Sequence, residues 1–383
     1  MANNNKHTGP NVPALRFPEF SGEWKKMSLQ DCCSDFSYGL NAPAKAYDGV
    51  NKYIRITDID ENTSVYKSND PVSPDGLLSD EYLVNENDIL FARTGASTGK
   101  TYLYNQNDGR LFYAGFLIKA NVNNNCDPYF IFSQTKTQSY RRWVEIMSTR
   151  SGQPGINSQE YASYPLYVPS KEEQEKIALL LRGLDKRILV QSKIIEEQET
   201  FLKSLADKLF LQNNHSCQLS EIVNIVKGKQ LNADTLSETG DYYVMNGGIT
   251  PSGYYSEYNV PAGAISISEG GNSCGYVQLN EKPFWSGGHC YSLQCRTNLV
   301  DYKYIYYYLK TKEADVMALR IGSGLPNIQK KDIEKFTISY PSLQLQKQFV
   351  KALDALSGKI NTEKNLLEKY CQQKSYLLSQ MFI

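Results

Sequence analysis

SGQPGINSQEYASYPLYVPSKEEQEKIALLLRGLDKRILVQSKIIEEQETFLKSLADKLFL, residues 151–211, returns in diverged form as SGLPNIQKKDIEKFTISYPSLQLQKQFVKALDALSGKINTEKNLLEKYCQQKSYLLSQMFI, residues 323–383. The offset is a constant 172 with no gap, and 13 of 61 positions are identical, among them Pro154/Pro326, Pro169/Pro341, Gln174/Gln346 and Phe210/Phe382. Chance does not align 61 residues this way, so the chain carries an internal duplication. Each copy opens on a Gly/Pro turn, passes through a short strand (164–169 and 335–341), and starts a long helix at Pro-Ser. Ser170 with Glu173 three residues on predicts a capping box; the second copy keeps Ser342 but has Leu345 there, a weaker cap.

Apolar residues within each helix recur at alternating spacings of four and three. In the first they are Ile177, Leu181, Leu184, Ile188, Ile195, Leu202, Leu205 and Leu209, with Gln191 and Gln198 in the same stripe. In the second they are Phe349, Leu353, Leu356, Ile360, Leu367, Leu377 and Met381, with Glu363, Tyr370 and Lys374. This is a coiled-coil seam, and polar residues inside it hold one register at some cost in stability. Two equivalent stripes predict that the helices pair with each other.

The segments before each helix resemble one another more weakly. NDILFAR (87–93), the glycine loop TGASTGKT (94–101), LFYAGFLIKA (111–120) and a helical stretch at 127–147 come in that order. AISIS (264–268), EGGNSCG (269–275), PFWSGGHCYSLQC (283–295) and a helical stretch at 300–319 repeat it. Alternating strands and amphipathic helices make each a mixed globule. The predicted class is therefore α/β (α+β): two mixed α/β domains, residues 1–169 and 213–341, separated by long helices at 170–212 and 342–383 that form an antiparallel coiled coil.

Composition excludes several functions. The 383 residues carry 41 basic and 41 acidic side chains, 41% hydrophobic and 12% aromatic residues, which is an ordinary globular balance. No run approaches the roughly 18 apolar residues of a membrane span, and the polar opening lacks a signal-peptide apolar region, so a cytoplasmic protein is expected. The eight cysteines form no paired C-x-x-C at zinc spacing and read as buried reduced thiols. With only His7, His215 and His289, no mechanism of paired histidines is available.

No catalytic motif survives inspection. Thr94–Thr101 approaches a phosphate-binding loop, but its first glycine falls one residue late, at Gly95, and a strand rather than a helix follows. An Asp/Asn-Pro-Pro cradle for base methylation is lacking: Asp70-Pro71 and Asp127-Pro128 have no second proline. The acidic pair Asp80-Glu81 has no nuclease lysine beside it. Binding is the better reading, and two diverged globules suit a polymer with two different short sites at fixed spacing. Duplex DNA, with about 34 Å per turn, is such a polymer.

The residue supply fits. Arg93, Thr94, Ser97, Thr98, Lys100, Arg110, Arg141, Arg142, Arg150, Gln153 and Asn157 lie in or near loops of the first globule. Ser268, Asn272, His289, Arg296, Arg320, Ser323, Asn327 and Gln329 are rough counterparts in the second. Arg reads guanine and Asn or Gln adenine, while Ser, Thr and Lys position phosphates. The neutral charge predicts weak DNA binding by this chain alone, with partner subunits supplying electrostatic grip. The neutral charge and 28 tyrosines also fit a competing class, a coiled-coil interaction scaffold that never touches DNA.

The leader Pro13–Trp24 (PALRFPEFSGEW), the Ser-Gly-x-Pro turns, the Pro-Ser-x-x-x-Gln helix starts and the Leu-Phe and Met-Phe helix ends resemble the specificity subunit of Type I restriction-modification systems, across essentially the whole chain. The resemblance implies two target recognition domains, each reading half of a bipartite, asymmetric site in double-stranded DNA, with the coiled coil setting the spacer. It implies assembly with two modification (methyltransferase) subunits, which bind S-adenosylmethionine and methylate adenine N6 after base flipping, and with restriction (helicase-nuclease) subunits using ATP and Mg. It places no catalytic residue, metal or cofactor on this chain, and implies a bacterial cytoplasm.

Overall fold

The computed structural model describes residues 11–383 except 62, 150, 151, 212, 213, 323 and 325, so Arg150 and Ser323 lie outside the described residues. The chain divides into two compact units, one made of residues up to Ser192 together with Asn365–Ile383, the other of Lys193–Lys364. Each boundary falls inside a long helix, Lys171–Phe210 or Leu343–Gln380.

In the first unit, strand Cys33–Tyr38 pairs with Leu117–Val122, which pairs with Asp88–Ala92, which pairs with Thr101–Leu103, all antiparallel. A parallel pair, Lys52–Ile54 with Leu111–Tyr113, and an antiparallel pair, Lys25–Ser28 with Pro165–Val168, complete the frame. The second unit repeats the plan. Val223–Lys227, Cys290–Cys295, Ala264–Ser268 and Val277–Asn280 follow in the same order. Tyr242–Met245 runs parallel to Phe284–Ser286, and His215–Gln218 is antiparallel to Thr337–Tyr340.

The central strands depart from the expected alternation. All five residues of Asp88–Ala92 and of Ala264–Ser268 are buried, because a strand with neighbours on both edges and cover on both faces has no side to leave in water. The expected single helical stretches each divide, into Pro128–Gln134 and Gln138–Met147, and into Tyr302–Thr311 and Glu313–Ala318. Asp127 caps the first, its Oδ1 accepting from Phe130 N at 2.8 Å, and Thr137 starts the next with its own cap. Asp301 repeats the cap on Tyr304 N at 3.1 Å.

The capping box at the first long helix does not form. Ser170 Oγ accepts from Glu173 N at 3.4 Å, but Glu173 does not reach back. Its carboxylate is buried and takes a two-pronged bond from Arg16, Nε to Oε1 at 2.8 Å and an NH2 group to Oε2 at 2.7 Å, with Trp24 Nε1 donating at 3.3 Å. Guanidinium geometry matches a carboxylate better than a single backbone N–H does. Next to it, Gln174 is buried, its Oε1 accepting from Asp127 N at 2.9 Å and its Nε2 donating to Pro169 O at 3.1 Å. Gln346 does the same with Asp301 N at 2.7 Å and Pro341 O at 2.8 Å. The duplicated glutamine therefore ties each helix start to the cap of a helix in the adjoining globule. Gln174→Ala or Gln346→Ala should each lower stability by about 1–3 kcal/mol, since each leaves a backbone N–H unpaired; denaturant unfolding measures it.

Each long helix buries its stripe within both units. In the first unit Ile177, Ala178 and Leu181 share a core with Leu378, Met381 and Phe382, and Asp185 pairs with Lys374 at 2.5 Å. In the second, Ala206 and Phe210 share a core with Phe349, Val350 and Leu353, and Glu199 pairs with Lys364 at 2.6 Å. In both, rising number in one helix meets falling number in the other, which is antiparallel pairing. Leu184 and Ile195 are buried, Ile188, Leu202, Leu205 and Leu209 half-buried; Ile360 is buried and Leu356, Leu367 and Leu377 half-buried. The cysteines are all free, but Cys295 and Cys371 are exposed and Cys217 half-buried, so only five of the eight are buried thiols. Among the described residues no helix is long and apolar enough to cross a membrane.

Candidate nucleic-acid interface

The glycine loop of the first unit is a tight reversal between strands, closed by Ala92 N to Lys100 O at 2.8 Å and Gly99 N to Ala92 O at 3.0 Å. Gly99 takes a positive φ of 90° and lies where a Cβ would strike Val144 at 2.6 Å, so the loop sits flush on helix Gln138–Met147. The Gly/Pro turn docks along it, with Gly95 N to Pro154 O at 3.0 Å and Ile156 N to Arg93 O at 2.9 Å. The structure thus brings together Arg93, Thr94, Ser97, Thr98 and Lys100 from one segment with Gln153 and Asn157 from another.

Not all of these side chains are free to bind. Thr98 Oγ1 donates to Gly95 O at 2.7 Å, Lys100 pairs with Glu61 at 2.7 Å, and Asn157 caps helix Ser158–Ala162 by accepting from Glu160 N at 2.9 Å. Arg110 is ion-paired with Asp80 at 3.2 Å. Arg141 and Arg142 are exposed on the helix that supports the loop, whose Tyr140 OH donates to Gly99 O at 3.1 Å.

The second unit builds the same platform. Gly271 N donates to Pro326 O at 3.0 Å and Ile328 N to Glu269 O at 2.8 Å, so Asn272 and Asn327 are brought beside each other's segments, with exposed Gln329 following. Two expected residues are displaced from it. Ser268 is buried and donates to the Gly247 carbonyl, and Arg296 follows the far end of strand Cys290–Cys295 from His289, bonded to Ser220 O at 2.9 Å. Exposed Arg320 lies at the end of helix Glu313–Ala318, one residue before the bridge of Ile321 with Asn327.

Beside each platform two backbone segments cross at glycine. A Cβ on Gly39 would lie 2.3 Å from Ala114 O, and one on Gly228 2.2 Å from Gly287 O, so no other residue fits. The crossing presents the residues flanking it, Tyr38 and Phe116 in the first unit and Lys227 and His289 in the second. Sequence reasoning passed over Tyr38, Phe116, Lys227 and Glu269; the signal was present as the matched pairs Tyr38-Gly39 with Lys227-Gly228 and Gly115-Phe116 with Gly288-His289. In the first unit a cavity of about 630 Å³ opens here, walled by Tyr38, Tyr53, Arg55, Arg93 and Phe116.

One buried charge lies in the turn between helices Pro128–Gln134 and Gln138–Met147. Lys136 is half-buried overall, but its ammonium is enclosed, donating to Thr101 Oγ1 at 2.6 Å and Ser64 Oγ at 2.8 Å and lying over the Phe132 ring at 4.2 Å. Burial, then repulsion from Lys374, pushes its pKa well below 10.5. A lysine depressed in the folded chain binds more protons when unfolded, so this group makes stability rise with pH from the depressed value up to about 10.4. Lys136→Met is expected to flatten that slope in unfolding midpoints measured across pH. Among the described residues no cluster of three His, Cys, Asp or Glu could hold a metal.

Two duplicated α/β units, each framed by part of both long helices and each offering a loop platform, define a duplicated α/β scaffold. The chain belongs to the Type I restriction modification DNA specificity domain family, whose sequence model matches residues 22–200 and again 213–369. A putative type I specificity subunit of Mycoplasma pneumoniae is 34% identical over 152 residues, 39% of this chain and 40% of that protein. One from Mycoplasma genitalium is 28% identical over 195 residues, 47% of this chain and 49% of that protein. The chain thus matches less than half the length of either curated relative. The crystal structure of the type I restriction-modification S subunit from M. genitalium superposes with a TM-score of 0.70 over 97% of this chain and 99% of that one, at 22% identity, a likeness of fold.

Proposed function

We propose that the chain is the DNA sequence-specificity subunit of a Type I restriction-modification complex. The observation that carries this is the pairing of one fold plan, used twice, with different side chains at equivalent loop positions, which is what reading two unlike half-sites requires. In this reading residues 1–169 and 213–341 are the target recognition domains, and the helices at 170–212 and 342–383 set the spacer and scaffold two modification subunits. Chemistry belongs to partners: S-adenosylmethionine on the modification subunits, ATP and Mg on restriction subunits, all in a bacterial cytoplasm. The equal acidic and basic totals support the reliance on partners for phosphate attraction.

Sequencing methylated DNA from cells carrying the whole system tests the proposal. A split motif is expected, and exchanging residues 220–339 for the same segment of another family member should change one half only. A motif altered in both halves, or in neither, would refute the assignment of one half-site to each unit. Inserting four residues beside Gln191, about one helical turn or 6 Å, should alter the spacer or abolish methylation while leaving the half-sites as they were.

A further inference from the structure

Three backbone hydrogen bonds superimpose the loop crossings of the two units. Gly39 N donates to Leu117 O at 3.2 Å and Gly228 N to Cys290 O at 2.8 Å; Leu40 N donates to Tyr113 O at 2.9 Å and Lys229 N to Ser286 O at 2.8 Å. Arg93 N donates to Phe116 O at 3.1 Å and Glu269 N to His289 O at 2.9 Å. Tyr38, Arg93 and Phe116 therefore occupy the same three places as Lys227, Glu269 and His289.

The two triads use opposite chemistry. In the first unit the Arg93 guanidinium lies 4.7 Å over the Tyr38 ring, with one NH1 group donating to Gly115 O at 3.3 Å, and Phe116 is 61% exposed. In the second, Glu269 is buried. Its Oε1 accepts from Lys227 Nζ at 2.6 Å and from Tyr291 OH at 2.9 Å; its Oε2 has no hydrogen bond among the described residues and lies 3.6 Å from His289 Nδ1. Lys227 and His289 are more than half exposed. The strand beneath accounts for the difference. The first unit has apolar Ile118 where the second has Tyr291, so an inward carboxylate finds a partner only in the second.

We infer that these paired triads are the base-specificity determinants of the two units, Arg93 reading one half-site, and Lys227 with His289, oriented by Glu269, reading the other. The inference rests on the proposed function and names the residues that carry it. A guanidinium held flat by an aromatic ring presents its fork to the O6 and N7 acceptors of guanine, and Lys and a donating imidazole suit the same acceptor edge. Glu269 is a positioning residue, since its own oxygens face inward.

The test is methylation-motif sequencing in cells expressing the complete complex with Arg93→Ala, Lys227→Ala or Glu269→Gln. Arg93→Ala should relax discrimination at one base of one half-site by about tenfold or more and leave the other half unchanged. Lys227→Ala and Glu269→Gln should relax one and the same base in the other half, and Arg93→Lys should recover part of the first. Unfolding midpoints of each variant separate a folding defect from a reading defect: Lys227→Ala strips the buried Glu269 carboxylate of its cation, 2.6 Å away, and should lower the midpoint, whereas Lys227→Ala combined with Glu269→Gln, which leaves no unpaired charge, should recover it while keeping the relaxed base. Uniformly reduced methylation with the motif intact would mark these as phosphate contacts and overturn the inference, as would relaxation in both halves. An unmutated complex that methylates no split motif would instead overturn the underlying functional reading.

Discussion

Arg16→Ala should destabilise the chain by about 3–5 kcal/mol, because it strands the Glu173 carboxylate in the protein interior. The two side chains are 3% and 1% exposed, and among the described residues Trp24 Nε1 is the one other side-chain donor to that carboxylate. Arg16 also donates to the carbonyls of Gly22 and Ser21, so its loss frees the leader from the helix start at several points. Replacing both partners, Arg16→Met with Glu173→Leu, should recover much of the loss, since a buried ion pair costs nearly as much to desolvate as it returns. Urea denaturation of the two variants checks this. A surface pair would give under about 1 kcal/mol and weaken with salt; insensitivity of the difference to added salt is the expected signature here.

Truncating the duplicated phenylalanines should be as damaging, and its location is the informative part. Phe382 follows the second long helix yet is buried in the first unit, against Trp24 at 6.3 Å and Phe130 at 5.3 Å between ring centroids. Phe210 ends the first long helix and is buried in the second unit, 5.4 Å from Tyr304 and 5.3 Å from Tyr308. Each truncation to alanine should cost about 3–5 kcal/mol. Hydrogen exchange should show Phe382→Ala loosening Pro128–Gln134 and the leader, and Phe210→Ala loosening Tyr302–Thr311. Exchange confined to the helix carrying the substitution would contradict the buried assignments.

The repeated frame was legible because it is written locally. A constant offset, a stripe at spacings of three and four, and Asp, Pro and Ser at helix starts are each readable without knowing what lies opposite. Glu173 shows where that stops: its spacing from Ser170 fits a capping box, but Arg16, 157 positions away, competes for the carboxylate and wins. The recognition loops fail for the same reason. Arg93 was visible as a loop cation, while its neighbours Tyr38 and Phe116 come from distant segments joined by a backbone crossing that only Gly39 permits. Glu269 escaped because an acidic residue answers to no DNA-binding pattern, and Ser268 was overread because strand burial cannot be told from a loop edge by residue type.

The shared core of Trp24, Phe130, Ile177 and Phe382, together with the bond from Leu15 N to Gln380 O at 2.8 Å, bears on how the molecule is made. A ribosome finishes Ser192 about 190 residues before it reaches Phe382, a wait of roughly 10–40 s at 5–20 residues per second. Throughout that interval the earliest-born lobe lacks its last wall, while the later one already holds all its parts once Lys364 emerges. The portion translated first is thus the last to close, and a nascent chain halted short of its final helix turns leaves that portion open to chaperones and proteases.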